Sequence, residues 1–256
     1  MRVRKYGAAA VVAAAALVLA ACGGEGAGST ETDAPADGET TAAEAEGEAP
    51  AAGDITVGVS MPTQTSERWI ADGDAVKAGF EAEGYKVDLQ FANDDIPTQS
   101  QQVDQMITSG VNLLVIAAID GTALSGQLDA AAAAGIPVIS YDRLIRDNEN
   151  VDFYVTFDNE EVGVQQATSL LVGLGVLNAD GSEGTATGPF NVELFAGSLD
   201  DNNAHFFWKG AIDTLQPYID SGVIVVPSGQ TTIEKAATLR WQQETAQKRM
   251  EDLLTA

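Results

Sequence analysis

Residues 111–143 read VNLLVIAAIDGTALSGQLDAAAAAGIPVISYDR, and this stretch decides the fold. Val111 to Ala118 is an apolar run of strand length, an Ala-rich helix follows as far as Gly135, and Ile136 to Ser140 returns as a second strand. The same alternation continues on the N-terminal side. Ile55 to Met61 reads as a buried strand, a helix carrying Ile70, Val76 and Phe80 ends at Gly84, and Lys86 to Phe91 is a strand again. Val103, Met106, Ile107 and Gly110 then keep i, i+3, i+4, i+7 spacing on a helix that starts after Pro97. Three strand–helix steps in succession imply right-handed crossovers and a parallel sheet with helices on both faces.

On the C-terminal side, the strand Asp152 to Phe157 leads through Asp158-Asn159 into a helix with Val164, Ala167, Leu171 and Leu174 on one side. The alternation then restarts: strand Phe190 to Phe195, helix Asn203 to Leu215, strand Val223 to Val226, and a helix marked by Ala246, Met250 and Leu253. The expected fold is α/β, with two Rossmann-like lobes of parallel sheet flanked by helices, over residues 54–157 and 158–256. The second lobe is expected to be incomplete, because it offers two clear strands and its last helix still runs at the final residue without a capping glycine.

The chain has 256 residues, 45% of them hydrophobic, enough for a real core. Its 13 basic residues face 38 acidic ones for a formal charge of -25, and they form no cluster able to displace counterions, which excludes a nucleic-acid partner. Arg2, Arg4 and Lys5 precede an uncharged stretch from Tyr6 to Ala21, so residues 1–21 read as a signal peptide, too short for a comfortable membrane span. The following Leu19-Ala20-Ala21-Cys22-Gly23-Gly24 resembles the bacterial lipobox. Cys22 is the only cysteine, so it forms no internal disulfide and is the expected lipidation site; the alternative is an accidental free thiol. Residues 22–53 hold eight acidic side chains and no basic one, the composition of a disordered, self-repelling linker. Together these features predict export and lipid anchoring at the outer face of the cytoplasmic membrane.

Parallel sheets bind ligands beyond the carboxyl ends of their strands. The loops there are polar: Pro62 to Trp69 with Ser66 and Arg68, Asn93-Asp94-Asp95, Asp120-Gly121, Tyr141-Asp142-Arg143 and Gly197 to Asn203. Asp, Asn and Arg beside aromatic rings are what a neutral polyol needs, since each hydroxyl both donates and accepts and a ring packs on the C–H face. Asp94, Asp95, Asp120 and Ser66 read equally well as helix caps and turn residues, whereas Arg143 is no capping residue. There is no G-x-G-x-x-G after the first strand, no P-loop and no G-x-S-x-G elbow. His205 is the lone histidine and reads as a helix surface or cleft residue. Neither Asp94-Asp95 nor Asp200-Asp201 has calcium-loop spacing, so no metal and no cofactor is expected.

Arg68-Trp69, the run 111–118 followed by Asp-Gly, Ser140 to Ile145, Thr156-Phe-Asp-Asn159, Gly197 to Ala204 and Pro217 to Gly222 resemble, in order, the xylose-binding and multiple-sugar-binding receptors of bacterial ABC importers. The resemblance spans about Ile55 to Ala256. It implies a type I periplasmic binding protein whose two lobes close on one monosaccharide, with an ABC permease as partner and a monomeric state. It also implies hydroxyl-binding roles for Arg68, Asp142 and Arg143, a contact from Asn202 or Asn203, and ring stacking by Trp241, whose alternative is a core tryptophan. Trp69 serves either packing or the opposite stacking face. Members of that family continue past the equivalent of Ala256, in keeping with an incomplete second lobe. Two other readings stand beside the importer receptor. One is a sugar sensor docking on a signalling protein; the other is a secreted carbohydrate-active enzyme using Asp142 with Asp120 or Asp201, which needs carboxylates about 5 to 9 Å apart. A transcriptional regulator is excluded, since the export signal stands where a DNA-binding helix-turn-helix would be.

Overall fold

The computed structural model describes residues 51–255; the signal peptide, Cys22 and all but the end of the acidic linker lie outside them. A 3-10 turn, Ala52–Asp54, precedes the first strand. Five strands follow: β1 (Thr56–Met61), β2 (Lys86–Phe91), β3 (Leu113–Ile116), β4 (Val138–Tyr141) and β5 (Phe153–Val155). They pair in parallel in the order β2-β1-β3-β4-β5. Between them run α1 (Glu67–Ala82), α2 (Ile96–Ser109) and α3 (Ser125–Ala133).

The two-residue pleat explains why the central run is apolar throughout. Leu114 and Ile116 pack with Val103, Met106, Leu124 and Leu128 of the α2/α3 layer, while Val115 and Ala117 pack with Val57, Val59 and Trp69 of the α1 layer. Gly58 serves the same packing, since a Cβ there would lie 2.9 Å from Met106 Sδ. Start and stop signals act as the residue types dictate. Asp95 caps α2 by accepting from Thr98 N–H at 2.8 Å, and Gly110 ends it with φ 77°.

Two expectations need correction. Ile70 is 37% exposed; α1 starts at Glu67, and the face toward the sheet is Trp69, Gly73, Val76 and Phe80, spaced four, three and four residues apart. The strand expected over Phe190 to Phe195 pairs only at β6 (Phe190–Asn191), with β7 (Ile224–Val225) beside it in parallel, so its apolar residues pack mostly outside the ladder.

Around this second sheet lie α4 (Asn159–Gly173), α5 (Asn202–Asp220), α6 (Ile233–Ala236) and α7 (Gln243–Thr255). Its core is Ala167, Leu171, Val176, Leu194, Leu215, Ile224 and Ala236. The helices α4 and α5 approach closely because glycine faces backbone at both sides of the crossing. A Cβ on Gly163 would overlap the Phe207 carbonyl, and one on Gly210 the Glu160 carbonyl. No helix among the described residues is long and apolar enough to cross a membrane.

Gly210→Ala is expected to destabilise the fold by about 2 kcal/mol in chemical denaturation, since neither backbone can give way. Gly79→Ala, on α1 with open space around its Cβ position, is expected to stabilise by about 0.5–1 kcal/mol in the same experiment.

Candidate functional site

The loops at the carboxyl ends of β1 to β4 meet the N-terminus of α5. Their geometry is set first at the end of β4. The buried Ser140 hydroxyl donates to the Arg143 carbonyl at 2.6 Å and accepts from Ile145 N–H at 3.0 Å, folding the chain back on itself. Asp142 takes φ 60° in this turn, a conformation that Asp tolerates better than most residues, and Tyr154 Oη donates to its carbonyl at 3.1 Å.

Asp142 then becomes a junction. Its Oδ2 accepts from Arg68 Nη2 at 2.5 Å, and its Oδ1 and carbonyl accept from Asn203 Nδ2 at 3.3 and 3.1 Å. Asn203 Oδ1 in turn accepts from Asn159 Nδ2 at 3.1 Å, and Tyr154 Oη lies 3.4 Å from it. Burial works against the Arg68 guanidinium, but the hydrogen bond and charge of Asp142 outweigh it and hold its pKa raised.

Arg143 builds a second chain. Its Nη1 donates to the Ala118 carbonyl at 3.2 Å, and its Nε lies 3.2 Å from Asp201 Oδ2, with both side chains buried. The same Asp201 oxygen accepts from Trp241 Nε1 at 3.0 Å. The Trp241 ring rests over Gly197, where any Cβ would overlap it, and meets Phe207 edge-on at 6.2 Å. Burial raises the pKa of Asp201, opposed chiefly by the Arg143 charge; the Asp94 carboxyl, in the loop after β2, is raised by burial as well, against a Thr63 hydrogen bond and Arg143. Trp69 is buried, with the Arg68 and Arg143 guanidinium carbons 4.3 and 5.0 Å from its ring centroid. A polar cavity of about 90 Å³ lies between Trp69 and Trp241, lined also by Thr63, Thr65, Ser66 and Arg240. A cavity of about 310 Å³ beyond Trp241 is lined mainly by apolar side chains such as Leu194, Phe207 and Ile212, and offers little to hydroxyl groups.

Of the sequence candidates, Arg68, Trp69, Asp142, Arg143, Asn203 and Trp241 thus come together. Asp120 does not join them: its Oδ1 accepts from Thr122 N–H and Oγ1 at 2.7 and 2.8 Å, the turn role that Asp often takes. Asn202 lines an adjoining pocket with Phe157, Phe206 and the other sides of Tyr154 and Asn159, because neighbouring residues on a helix point about 100° apart. His205 is exposed on α5, with Nε2 3.1 Å from the Leu199 carbonyl. No group of three metal-ligating side chains occurs among the described residues. The sequence left Tyr154, Asn159 and Asp201 without a binding role. A signal was present for the last two, since each stands in a quoted motif, Thr-Phe-Asp-Asn and Asp-Asn-Asn.

Two buried oxygens near the cleft, Asp200 Oδ1 and Asn159 Oδ1, have no hydrogen-bond partner among the described residues, while Arg143 Nε and Arg240 Nη1 face the Asp201 and Asp200 carboxylates as ion pairs. Each of these oxygens requires a donor, and a hydroxyl supplies one.

The multiple sugar-binding periplasmic receptor ChvE of Rhizobium radiobacter is 56% identical over 206 residues, covering 80% of this chain and 56% of that protein. The D-xylose-binding periplasmic protein of Escherichia coli is 38% identical, again covering 80% of this chain and 56% of its own length. The chain therefore spans about half the length of the curated relatives it matches. Among solved structures, an ABC transporter solute-binding protein of Clostridium phytofermentans with bound β-D-glucose superposes with TM-score 0.73 at 46% identity, covering 78% of this chain and 60% of the other. A carbohydrate transporter solute-binding protein of Chloroflexus aurantiacus in complex with D-glucose gives TM-score 0.68 at 34% identity, covering 78% and 61%. Residues 57–256 match the periplasmic binding protein domain, and with parallel sheets, strand-end loops and a polar cleft in the arrangement described, the chain belongs to that family.

Proposed function

We propose that this chain is the solute-binding component of an ABC sugar importer, an exported receptor that captures an aldose such as glucose or xylose and delivers it to the permease. It acts by binding, not by turnover. The observation that carries this reading is the convergence of Arg68, Asp142 and Arg143 from the first sheet with Asn203 and Trp241 from α5 and the turn before α7. Guanidinium groups donate in pairs, a carboxylate accepts, an amide does both, and an indole offers an apolar face. That set suits a neutral ring with a hydroxyl on each carbon. A relative named for D-xylose and two solved relatives with glucose bound support the same ligand class.

Residues 54–157 and 158–256 act as the two lobes. A ligand that touches both favours the state in which they are closed, the coupling on which transfer to a permease depends. The signal peptide over 1–21, a lipid on Cys22 and the acidic stretch after it would hold a monomeric receptor at the outer face of the cytoplasmic membrane, within reach of its partner. The enzyme reading loses one of its carboxylates, since Asp120 is engaged within its own turn.

A thermal-shift series with D-glucose, D-xylose, D-galactose and L-arabinose tests the ligand class. A selective rise in Tm is expected, equivalent to about 2.7 kcal/mol at a concentration one hundred times Kd. No shift with any aldose would overturn the reading. Asp142→Asn, which tolerates the same positive φ, is expected to weaken binding about tenfold or more by calorimetry with the melting transition still cooperative.

A further inference from the structure

Asp201 is 4% exposed and caps α5, its Oδ1 accepting from Asn203 N–H at 3.0 Å. Its Oδ2 accepts from Trp241 Nε1 at 3.0 Å and lies 3.2 Å from Arg143 Nε. One carboxylate therefore touches three of the cleft groups, and these come from three separate segments. The turn after β4 brings Arg143, α5 brings Asn203, and the 3-10 turn Leu239–Trp241 brings the indole. The same turn after β4 places the Asp142 charge nearby, adding to the burden on Asp201, while the adjacent Asp200 is matched by Arg240 at 3.1 Å.

We propose that Asp201 is the positioning residue of the cleft: ionised, it holds Arg143 and Trp241 where they meet the sugar, and on taking up a proton it releases both. This rests on the sugar-receptor reading. The physical reason is that one anionic oxygen serves two donors arriving from different segments. A proton on the carboxyl removes the charge that anchors the guanidinium and competes for the oxygen that receives the indole N–H. Asn203 is less affected, because its backbone N–H uses the other oxygen.

Affinity and stability then respond to acid in different ways. Burial raises the Asp201 pKa above its unfolded value. Above both values the ionised carboxylate penalises the folded state, and that penalty disappears as pH falls through the raised pKa. Neutralising part of a charge of -25 also relieves self-repulsion. Mild acid should accordingly weaken sugar binding without lowering Tm.

The test uses the full chain, with D-glucose and D-xylose titrated calorimetrically across pH for the wild type, Asp201→Asn and Asp201→Glu. Asparagine is as good an N-cap as aspartate but presents an amide where Arg143 and Trp241 need a charge. Asp201→Asn is expected to bind about 10- to 100-fold more weakly at neutral pH, with the melting transition lowered but still cooperative and no further weakening in acid. Asp201→Glu should recover part of the affinity and all of the pH dependence. Wild-type affinity in Asp201→Asn, or an unchanged acid profile, would overturn the proposal. A second readout needs no ligand: tryptophan emission should titrate in the wild type and stay flat in Asp201→Asn. The same titration in Asp201→Asn sinks the proposal on its own. Failure of both sugars to bind the wild type counts against the receptor reading instead.

Discussion

Parallel pairing delivers the carboxyl end of every strand to the same edge, and the rest of this structure depends on that constraint. Each strand of the first sheet must be followed by a loop at that edge before the chain crosses back, so Arg68, Asp94, Ala118 and Asp142-Arg143, distant in sequence, become neighbours. The layers above and below are apolar and leave the polar groups nowhere else to gather. The second sheet contributes in the same way, through the loop that ends at the N-terminus of α5.

What gathers there is costly. Arg143 and Asp201 are almost fully buried, and a buried ion pair is often no better for stability than an apolar pair of the same volume, while removing one partner costs about 3–5 kcal/mol. Stability therefore does not account for the arrangement, and organisation does. Linked carboxylate, guanidinium and amide groups hold one another in fixed rotamers, so a ligand meets donors and acceptors already aimed. Backbone geometry serves the same end at Asp142 and Trp241, both with positive φ, and at Gly197, which lets the indole lie flat against the chain.

Much of the architecture was legible before any coordinates. The apolar run 111–118, the Ala-rich crossover and the cap Asp95 are local signals, and β2 matches its expected span residue for residue. Misreadings arose where burial depends on a partner elsewhere. Ile70 is as apolar as its neighbours, yet the sheet lies on the side of α1 that carries Trp69 and Gly73. The stretch 190–195 has strand composition, but only two residues find a ladder partner.

The site divides along the same line. Sequence by itself determined the fold class and the polar strand-end loops that carry Arg68, Asp142, Arg143 and Asn203, because strand–helix alternation, capping and side-chain chemistry act over a few residues, whereas Trp241 is implied only by the family resemblance. Only the tertiary structure decided that Asp120 is engaged in its own turn, that Asn202 points away from Asn203, and that Asp201 links Arg143 to Trp241. Those outcomes rest on distances between segments far apart in the chain, and a contact of that kind leaves no periodicity in the sequence to read.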